Sequence, residues 1–188
     1  SETGPIQRLL DMRQVGKEIQ KEFGLAKAPK IHFIEHHLAH AASAFHVSPF
    51  EEAAILTLDG RGESTSTMFS CGKGTKIEKL KEIKVPHSIG HLYAAVTDYL
   101  GFKPFYDEWK VMGMSAFGKN TFERKFAELL FLNGAGYTLN LDYFSFHLKG
   151  NSQWLSDKFY ETFGPPFEKG ENFSERAADI AYALQRLI

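Results

Sequence analysis

The residues best suited to chemistry lie in one short segment, His36-His37-Leu38-Ala39-His40. On a helix, side chains four residues apart lie on one face, so His36 and His40 can hold one metal ion between their imidazoles while His37 points elsewhere. The alternative is that these histidines are hydrogen-bonded core or helix-cap residues. A zinc protease of the H-E-x-x-H type is excluded, because it needs a glutamate where His37 stands.

A second candidate segment is DGRGESTST, which runs from Asp59 to Thr67 and follows a buried, strand-like stretch at residues 53–58. A carboxylate at the end of an apolar strand, followed by glycines and hydroxyl residues, lets backbone N–H groups approach a phosphate closely. Asp59-Gly60 is also a common hairpin signal. Both interpretations hold together if the hairpin forms the phosphate-binding turn.

These segments need a scaffold, and the hydrophobic periodicity predicts one of mixed helices and strands. The predicted helices cover 6–23, 36–47, 88–101, 109–117, 120–132, 152–162 and 173–188. The predicted strands cover 30–35, 53–59, 64–71, 76–85 and 137–146. The chain is therefore expected to fold as an α/β domain.

Two further features leave alternatives open. The loop 103–110 contains aromatic residues among charges, and it is either a substrate-facing aromatic loop or a loop packed on the domain surface. Its aromatic residues are Phe105, Tyr106 and Trp109. His87 and His91 are also four residues apart, at the start of a predicted helix. We interpret them as capping or partly exposed residues, because no acidic or sulfur-bearing residue lies nearby in sequence to complete a metal site.

Composition limits the partners of the chain. Its 188 residues, 43% hydrophobic with a net charge of -1, suit one domain with a sizeable core, and they do not favour nucleic acid as a partner. The single cysteine, Cys71, excludes an internal disulfide framework and fits a reducing compartment. No apolar run approaches the roughly 20 residues that cross a membrane, and no signal-peptide pattern opens the chain. We therefore expect a cytoplasmic protein without a membrane partner.

Three motifs together resemble the amino-terminal catalytic domain of the O-carbamoyltransferases, the family that carbamoylates nodulation factors and antibiotics. They are HHLAHAASAF at 36–45, LDGRGESTST at 58–67 and DEWKVMGMSAFG at 107–118. Each motif is short, but three in this order are much more specific than any one alone. The resemblance covers residues 30–118 well and the tail from residue 163 to 185 more loosely.

The resemblance implies a fold, a reaction and a metal. The fold is that of actin, Hsp70 and sugar kinases, a ribonuclease H-like α/β domain with a mixed sheet flanked by helices. Such enzymes make carbamoyl-adenylate from carbamoyl phosphate and ATP, with loss of pyrophosphate, and pass the carbamoyl group to an acceptor hydroxyl. A divalent metal, iron-like or else zinc or magnesium, would be held by His36, His40 and a distant aspartate, and would touch nucleotide phosphate.

The resemblance also implies roles for individual residues. Asp59 is expected to be catalytic. The turn facing phosphate would include Gly60, Gly62, Glu63 and Thr65. The residues near the nucleotide would be Glu108, Lys110 and Gly113.

The chain also departs from the family pattern. Related enzymes begin with a strand and turn that form the first phosphate loop, whereas this chain opens with an amphipathic helix. It stops before the glycine-rich segment and the third metal ligand that the family supplies later. We therefore expect residues 1–188 to be part of the amino-terminal domain, inactive alone and dependent on the remainder of the enzyme, with oligomerisation left open. The alternative is a non-catalytic metal- or nucleotide-binding regulatory protein with the same fold.

Overall fold

The computed structural model describes residues 5–168 and 174–188, and its contacts divide the chain into one unit up to Glu35 and another from His36 onward. The first unit contains helix α1 (Pro5–Glu22), which confirms the helix predicted over 6–23. The strand predicted over 30–35 is wrong, because these residues lie in no strand. A strand needs a hydrogen-bonded neighbour, and no described strand pairs with this segment.

The second unit begins with helix α2 and an antiparallel three-stranded sheet. Its first elements are α2 (His36–Phe45), β1 (Glu52–Gly62), β2 (Thr65–Lys73) and β3 (Lys76–Lys84). The strands lie in the order β1-β2-β3. The sequence placed the end of β1 at Asp59, but β1 continues through a register shift between Leu58 and Gly62. The turn into β2 therefore falls after Gly62 rather than at Asp59-Gly60.

Helices and a second small sheet complete this unit. The remaining α-helices and strands are α3 (Ile89–Tyr99), α4 (Glu108–Ser115), α5 (Glu123–Phe126), β4 (Leu130–Leu132), β5 (Tyr137–Leu139), α6 (Phe146–Lys149), α7 (Asp157–Phe163) and α8 (Glu175–Leu187). Helix α3 begins after Ser88 because the Ser88 hydroxyl accepts a hydrogen bond from the His91 backbone N–H at 3.0 Å. None of the helices in the described part of the chain has both the length and the apolar content needed to span a membrane.

The structure corrects the predictions for residues 120–146. The predicted helix 120–132 shrinks to the four residues of α5, because the chain then enters a hairpin in which Leu130 lies opposite Leu139. The predicted strand 137–146 ends at Leu139 for the same reason, since β4 is only three residues long and offers no further partner. The expected mixed sheet is also wrong for the described residues, where both sheets are antiparallel.

One continuous core joins α3 and α8 to the aromatic-rich segment from α5 to α7. Its fully buried large side chains include Leu92, Tyr99, Phe126, Phe159, Ile180 and Leu184. The Tyr99 hydroxyl donates to the Phe163 carbonyl at 3.0 Å, so the buried polar atom is satisfied. Most of the described phenylalanines are thus buried in this core or packed against it.

Candidate metal centre

Helix α2 is fixed to the sheet by a buried stripe of side chains four residues apart, His37, Ala41 and Phe45. His37 bridges two strands, because its Nε2 lies 3.0 Å from the Thr65 carbonyl and its Nδ1 lies 2.7 Å from the Thr57 hydroxyl. A carbonyl can only accept, so Nε2 carries the hydrogen and, in the neutral ring, Nδ1 accepts from Thr57. Both ring nitrogens of the buried His37 therefore have hydrogen-bond partners. The alternative interpretation, a hydrogen-bonded core histidine, thus holds for this one of the three histidines.

The other two histidines of α2 converge on the carboxylate of Asp59 in β1. His36 Nε2 lies 2.6 Å from Asp59 Oδ2, and His40 Nε2 lies 3.0 Å from His36 Nε2 and 3.3 Å from the same Asp59 oxygen. Among the described residues, these three form the group able to hold a metal ion, with all donor atoms within 4.8 Å of one another. The predicted pairing of His36 with His40 on one helix face is thus present in the structure.

The donor set fits a divalent transition metal. Two ligand atoms about 2.1 Å from a metal lie about 3.0 Å apart when their bonds are perpendicular, which is close to the three separations observed here. Two imidazoles and one carboxylate on one side of an ion leave its remaining positions open, an arrangement typical of iron(II) and also found with zinc. The side chains are partly exposed, at 41%, 52% and 36% for His36, His40 and Asp59, so an ion there could reach a ligand from solvent.

Asp59 offers the third donor, which the sequence analysis expected from a distant aspartate. Partial burial raises the pKa of its carboxyl, but hydrogen bonds from His36, the Gly60 N–H and His40 outweigh that effect, and the pKa is lowered. Asp59 therefore stays ionised, the form in which a carboxylate binds metal. The assignment of Asp59 to catalysis stays a prediction, and its position beside both imidazoles makes it the candidate third ligand of the group.

Glycines allow the close packing around this cluster. A Cβ at Gly62 would lie 2.4 Å from the Cβ of His36, and a Cβ at Gly90 would lie 2.6 Å from the Gly60 nitrogen. The sequence assigned Gly60 and Gly62 to phosphate approach, and the structure shows them making room for the imidazoles of His36 and His91. Gly90 was not identified from the sequence. The signal available for it was its position two residues after Ser88, the residue that caps α3.

Glu63 and Thr65 interact with the scaffold. Glu63 adopts a positive φ of 48°, and its carboxylate accepts a hydrogen bond from the His36 backbone N–H at 3.4 Å, at the start of α2. The buried Thr65 hydroxyl donates to Glu82 at 2.8 Å and accepts from the Lys84 ammonium at 2.8 Å. Glu63 thus adjoins the cluster, whereas the Thr65 hydroxyl is committed to the sheet.

Of the three residues that the third motif was predicted to place near the nucleotide, one lines the cavity beside the cluster. Glu108, the first residue of α4, lines the same cavity as Asp59 and Gly60. Lys110 does not line it, and its ammonium pairs with Asp107 at 2.8 Å. Gly113 is exposed, with open space where a side chain would begin. The structure therefore brings Glu108 to the site and leaves the other two residues outside it, so their predicted contact with nucleotide remains a prediction.

Together the fold and the site describe an α/β domain with a candidate open metal centre at the end of its first strand. Residues 12–188 match the family described as carbamoyltransferase N-terminus, so the chain belongs to the carbamoyltransferase N-terminal family. The resemblance carried by the three sequence motifs is thereby confirmed.

Several relatives share this region. The nodulation protein NolNO of Sinorhizobium fredii is 39% identical over 127 residues, covering 66% of this chain and 18% of NolNO. The nodulation protein NolO of Bradyrhizobium diazoefficiens is 31% identical over 157 residues, covering 82% of this chain and 26% of NolO. The uncharacterised protein sll1178 of Synechocystis is 37% identical over 190 residues, covering 96% of this chain and 30% of sll1178. The chain thus spans less than a third of each of these relatives.

Proposed function

We propose that this chain supplies the metal-holding part of an ATP-dependent O-carbamoyltransferase. The observation that carries the proposal is the convergence of His36, His40 and Asp59 in a chain of the carbamoyltransferase N-terminal family. The actin-like, ribonuclease H-like architecture of the complete domain belongs to the same proposal. The antiparallel sheet β1–β3, with α2 packed on it, supports that architecture.

The proposed reaction has two stages. Water hydrolyses carbamoyl phosphate to carbamate and phosphate, and a carbamate oxygen then bonds to the α-phosphorus of ATP while pyrophosphate leaves, which gives carbamoyl-adenylate. The oxygen of an acceptor hydroxyl then bonds to the carbamoyl carbon, the bond from that carbon to the adenylate oxygen breaks, AMP leaves with the electron pair, and the hydroxyl proton passes to a base. The remainder of the enzyme would contribute to both stages.

The residues of this chain would position the reactants. A divalent metal held by His36, His40 and Asp59 would supply positive charge near phosphate oxygens when bound. His37 anchors α2 to β1 and β2 through two hydrogen bonds. This contact positions the imidazoles of His36 and His40 relative to the Asp59 carboxylate. Glu63 binds the first N–H of α2, so the start of that helix is also tied to the β1–β2 turn.

The proposal is tested by pyrophosphate release in a full-length enzyme that carries this chain, supplied with ATP, carbamoyl phosphate and iron(II). Asp59→Asn should lower the rate about 100-fold or more while the melting temperature of the metal-free protein changes little, because the side chain keeps its size and buries little apolar surface. Asp142→Asn is the matched control, since that exposed carboxylate pairs with Lys158 at 3.1 Å, away from the cluster.

Each outcome of this experiment has a consequence. A near-normal rate for Asp59→Asn would overturn the functional role of the cluster. Metal binding without pyrophosphate release or carbamoyl transfer in the full-length protein would instead favour the regulatory alternative. Loss of rate in proportion to a lowered melting temperature would show that Asp59 only shapes the strand.

A further inference from the structure

Asp59 lies in an irregular stretch of β1. The register between β1 and β2 shifts between Leu58 and Gly62, where three residues of β1 lie opposite one residue of β2. A strand that carries extra residues cannot pair all of their backbone groups with its neighbour. Asp59 is the first of these three residues, so the ladder between β1 and β2 does not by itself fix its position.

The side chain of Ser88 supplies a hydrogen bond to this stretch. Ser88 is fully buried, and its hydroxyl donates to the carbonyl of Gly60 at 2.7 Å and to that of Asp59 at 3.1 Å. The same oxygen accepts the His91 backbone N–H at the start of α3. One hydroxyl therefore both caps α3 and ties the beginning of that helix to the backbone of a candidate metal ligand.

The first turn of α3 is pressed against this backbone and anchored on its other side. A Cβ at Gly90 would lie 2.7 Å from the carbonyl carbon of Asp59 and 2.8 Å from its oxygen, so a side chain there would push the helix away from β1. The Ile89 N–H donates to the Tyr137 hydroxyl at 3.2 Å, and that hydroxyl lies 2.8 Å from the Thr67 hydroxyl of β2. The start of α3 is therefore held in place by contacts that do not involve the candidate ligands.

One peptide unit links Ser88 to the carboxylate of Asp59. The carbonyl oxygen of the Asp59–Gly60 peptide accepts from Ser88, and the N–H of the same peptide donates to Asp59 Oδ1 at 2.6 Å. A peptide is planar, so the directions of its carbonyl and its N–H are coupled. The other carboxylate oxygen, Oδ2, faces the Nε2 atoms of His36 and His40. The orientation of the carboxylate thus depends on a peptide plane that Ser88 holds.

We propose that Ser88 is a positioning residue of the candidate metal centre, an assignment that rests on the proposed function. Its hydroxyl holds the backbone at Asp59 and Gly60, and that backbone directs the Asp59 carboxylate toward the imidazoles of α2. The Ser88 hydroxyl bonds to carbonyls and not to the donor atoms, so it acts on a metal through Asp59. Removing the hydroxyl frees the carboxylate to move and loosens the three-donor arrangement.

The test compares Ser88→Ala with Ser174→Ala in the metal-free and cobalt(II)-loaded chain. Ser174 is the matched control, because its hydroxyl caps α8 in the same way, accepting the Ala177 N–H at 3.1 Å, and has no described hydrogen bond to β1. Both variants lose a helix cap, so both should unfold at lower urea concentration than the wild type. A difference in metal binding between them therefore reports the contact with β1 rather than the cap.

The two variants should differ in three measurements. Ser88→Ala should bind cobalt(II) about 10- to 100-fold more weakly, with an altered visible spectrum, because a residue that orients a ligand is lost. The imidazole NMR signals of His36 and His40 should shift in the metal-free Ser88→Ala protein, since the carboxylate beside them moves. Ser174→Ala should keep the wild-type affinity, spectrum and imidazole signals.

Gly90→Ala perturbs the same contact while the Ser88 hydroxyl stays in place. Its methyl group meets the backbone of Asp59, so it should weaken cobalt binding and alter the visible spectrum in the same direction as Ser88→Ala. Circular dichroism shows whether each variant is folded. If Ser88→Ala does not fold, Gly90→Ala decides the assignment by the same three measurements.

Two results would overturn the assignment. One is a folded Ser88→Ala protein with wild-type cobalt affinity, spectrum and imidazole signals. The other is an equal change in Ser88→Ala and Ser174→Ala, which would trace the effect to helix capping alone. A wild-type chain that binds no cobalt would instead contradict the proposed metal centre, and the imidazole signals of the metal-free proteins would still decide whether Ser88 positions Asp59.

Discussion

Two histidine pairs with the same spacing have different surroundings in this protein. His36 and His40 both lie in α2, and their Nε2 atoms meet one oxygen of Asp59. His87 lies before α3, and its Nδ1 accepts a hydrogen bond from the Leu139 N–H at 3.1 Å. His91 lies within α3 and packs against Phe146, at 5.2 Å between ring centroids. The second pair therefore does not converge.

The difference arises from where each helix begins. Side chains four residues apart share a face only when both are helical, and the Ser88 cap puts His87 outside α3. His91 is also kept uncharged, because burial and the positive charge of Arg61 lower its pKa more than Asp59 raises it. Its buried Nδ1 has no partner within the described residues. A spacing of four residues thus identifies two metal-binding histidines only when both lie within one helix and a carboxylate lies nearby.

Replacing the first histidine pair should change cobalt affinity, whereas replacing the second should change the unfolding free energy. The loss of cobalt affinity is the largest effect we expect. The double variant His36→Ala, His40→Ala should lose about 100-fold or more of its cobalt(II) affinity while unfolding normally in chelator, because both side chains are half-exposed. The double variant His87→Ala, His91→Ala should keep its cobalt affinity and lose about 1–3 kcal/mol of unfolding free energy, because it removes buried contacts. Calorimetric titration and urea unfolding measure both quantities, and similar cobalt affinities in the two variants would remove the distinction.

A smaller effect should follow from a methyl group beside the first pair. Gly62→Ala puts a Cβ 2.4 Å from His36, so the imidazole must move and cobalt affinity should fall about 10- to 100-fold. Gly113→Ala is the matched control, because nothing lies within 4 Å of its new Cβ. In the middle of α4 it should raise the unfolding free energy by about 0.5–1 kcal/mol and leave cobalt binding unchanged. A Gly62→Ala protein with normal affinity would show that His36 is not confined as described.

The smallest expected effect is a pH dependence of stability in the metal-free chain. The pKa of Asp59 is lowered below its ordinary value of 3.8, so its ionised form stabilises the folded state. This stabilisation is complete above the unfolded pKa and is lost as pH falls through the lowered folded pKa. The difference in unfolding free energy between the wild type and Asp59→Asn should therefore shrink as the pH falls below 3.8. A difference that stays constant down to low pH would contradict the hydrogen bonding of Asp59 to the imidazoles.

Local patterns in the sequence were sufficient for α2, the three strands of the first sheet and the shared face of His36 and His40. Period-three-to-four and period-two hydrophobic patterns depend only on neighbouring residues. The arrival of Asp59 beside the imidazoles could not be predicted, because it depends on how His37 docks α2 across β1 and β2. The predicted strand 137–146 included β5, but β4 was missed because its short apolar run fits a helix equally well.

The cavity wall is a second feature that neighbouring residues in the sequence do not determine. The sequence left the aromatic loop 103–110 open between a substrate-facing and a surface role. The structure separates its members, placing Phe105 and Trp109 in the wall of the cavity and Tyr106 outside it. Backbone conformation made this separation, since the positive φ of Phe105 turns the chain between two adjacent aromatic residues. No property of the residue types alone distinguishes them.

Cobalt(II) titration of the wild-type chain and of Asp59→Asn tests the central claim most directly. Asp142→Asn is the control, because it changes an exposed carboxylate that pairs with Lys158 and not with the imidazole donors. We predict one cobalt ion per wild-type chain, little change for Asp142→Asn, and about 100-fold or more weaker binding with an altered visible spectrum for Asp59→Asn. Equal affinity and identical spectra for the wild type and Asp59→Asn would contradict the three-donor centre on which the account depends.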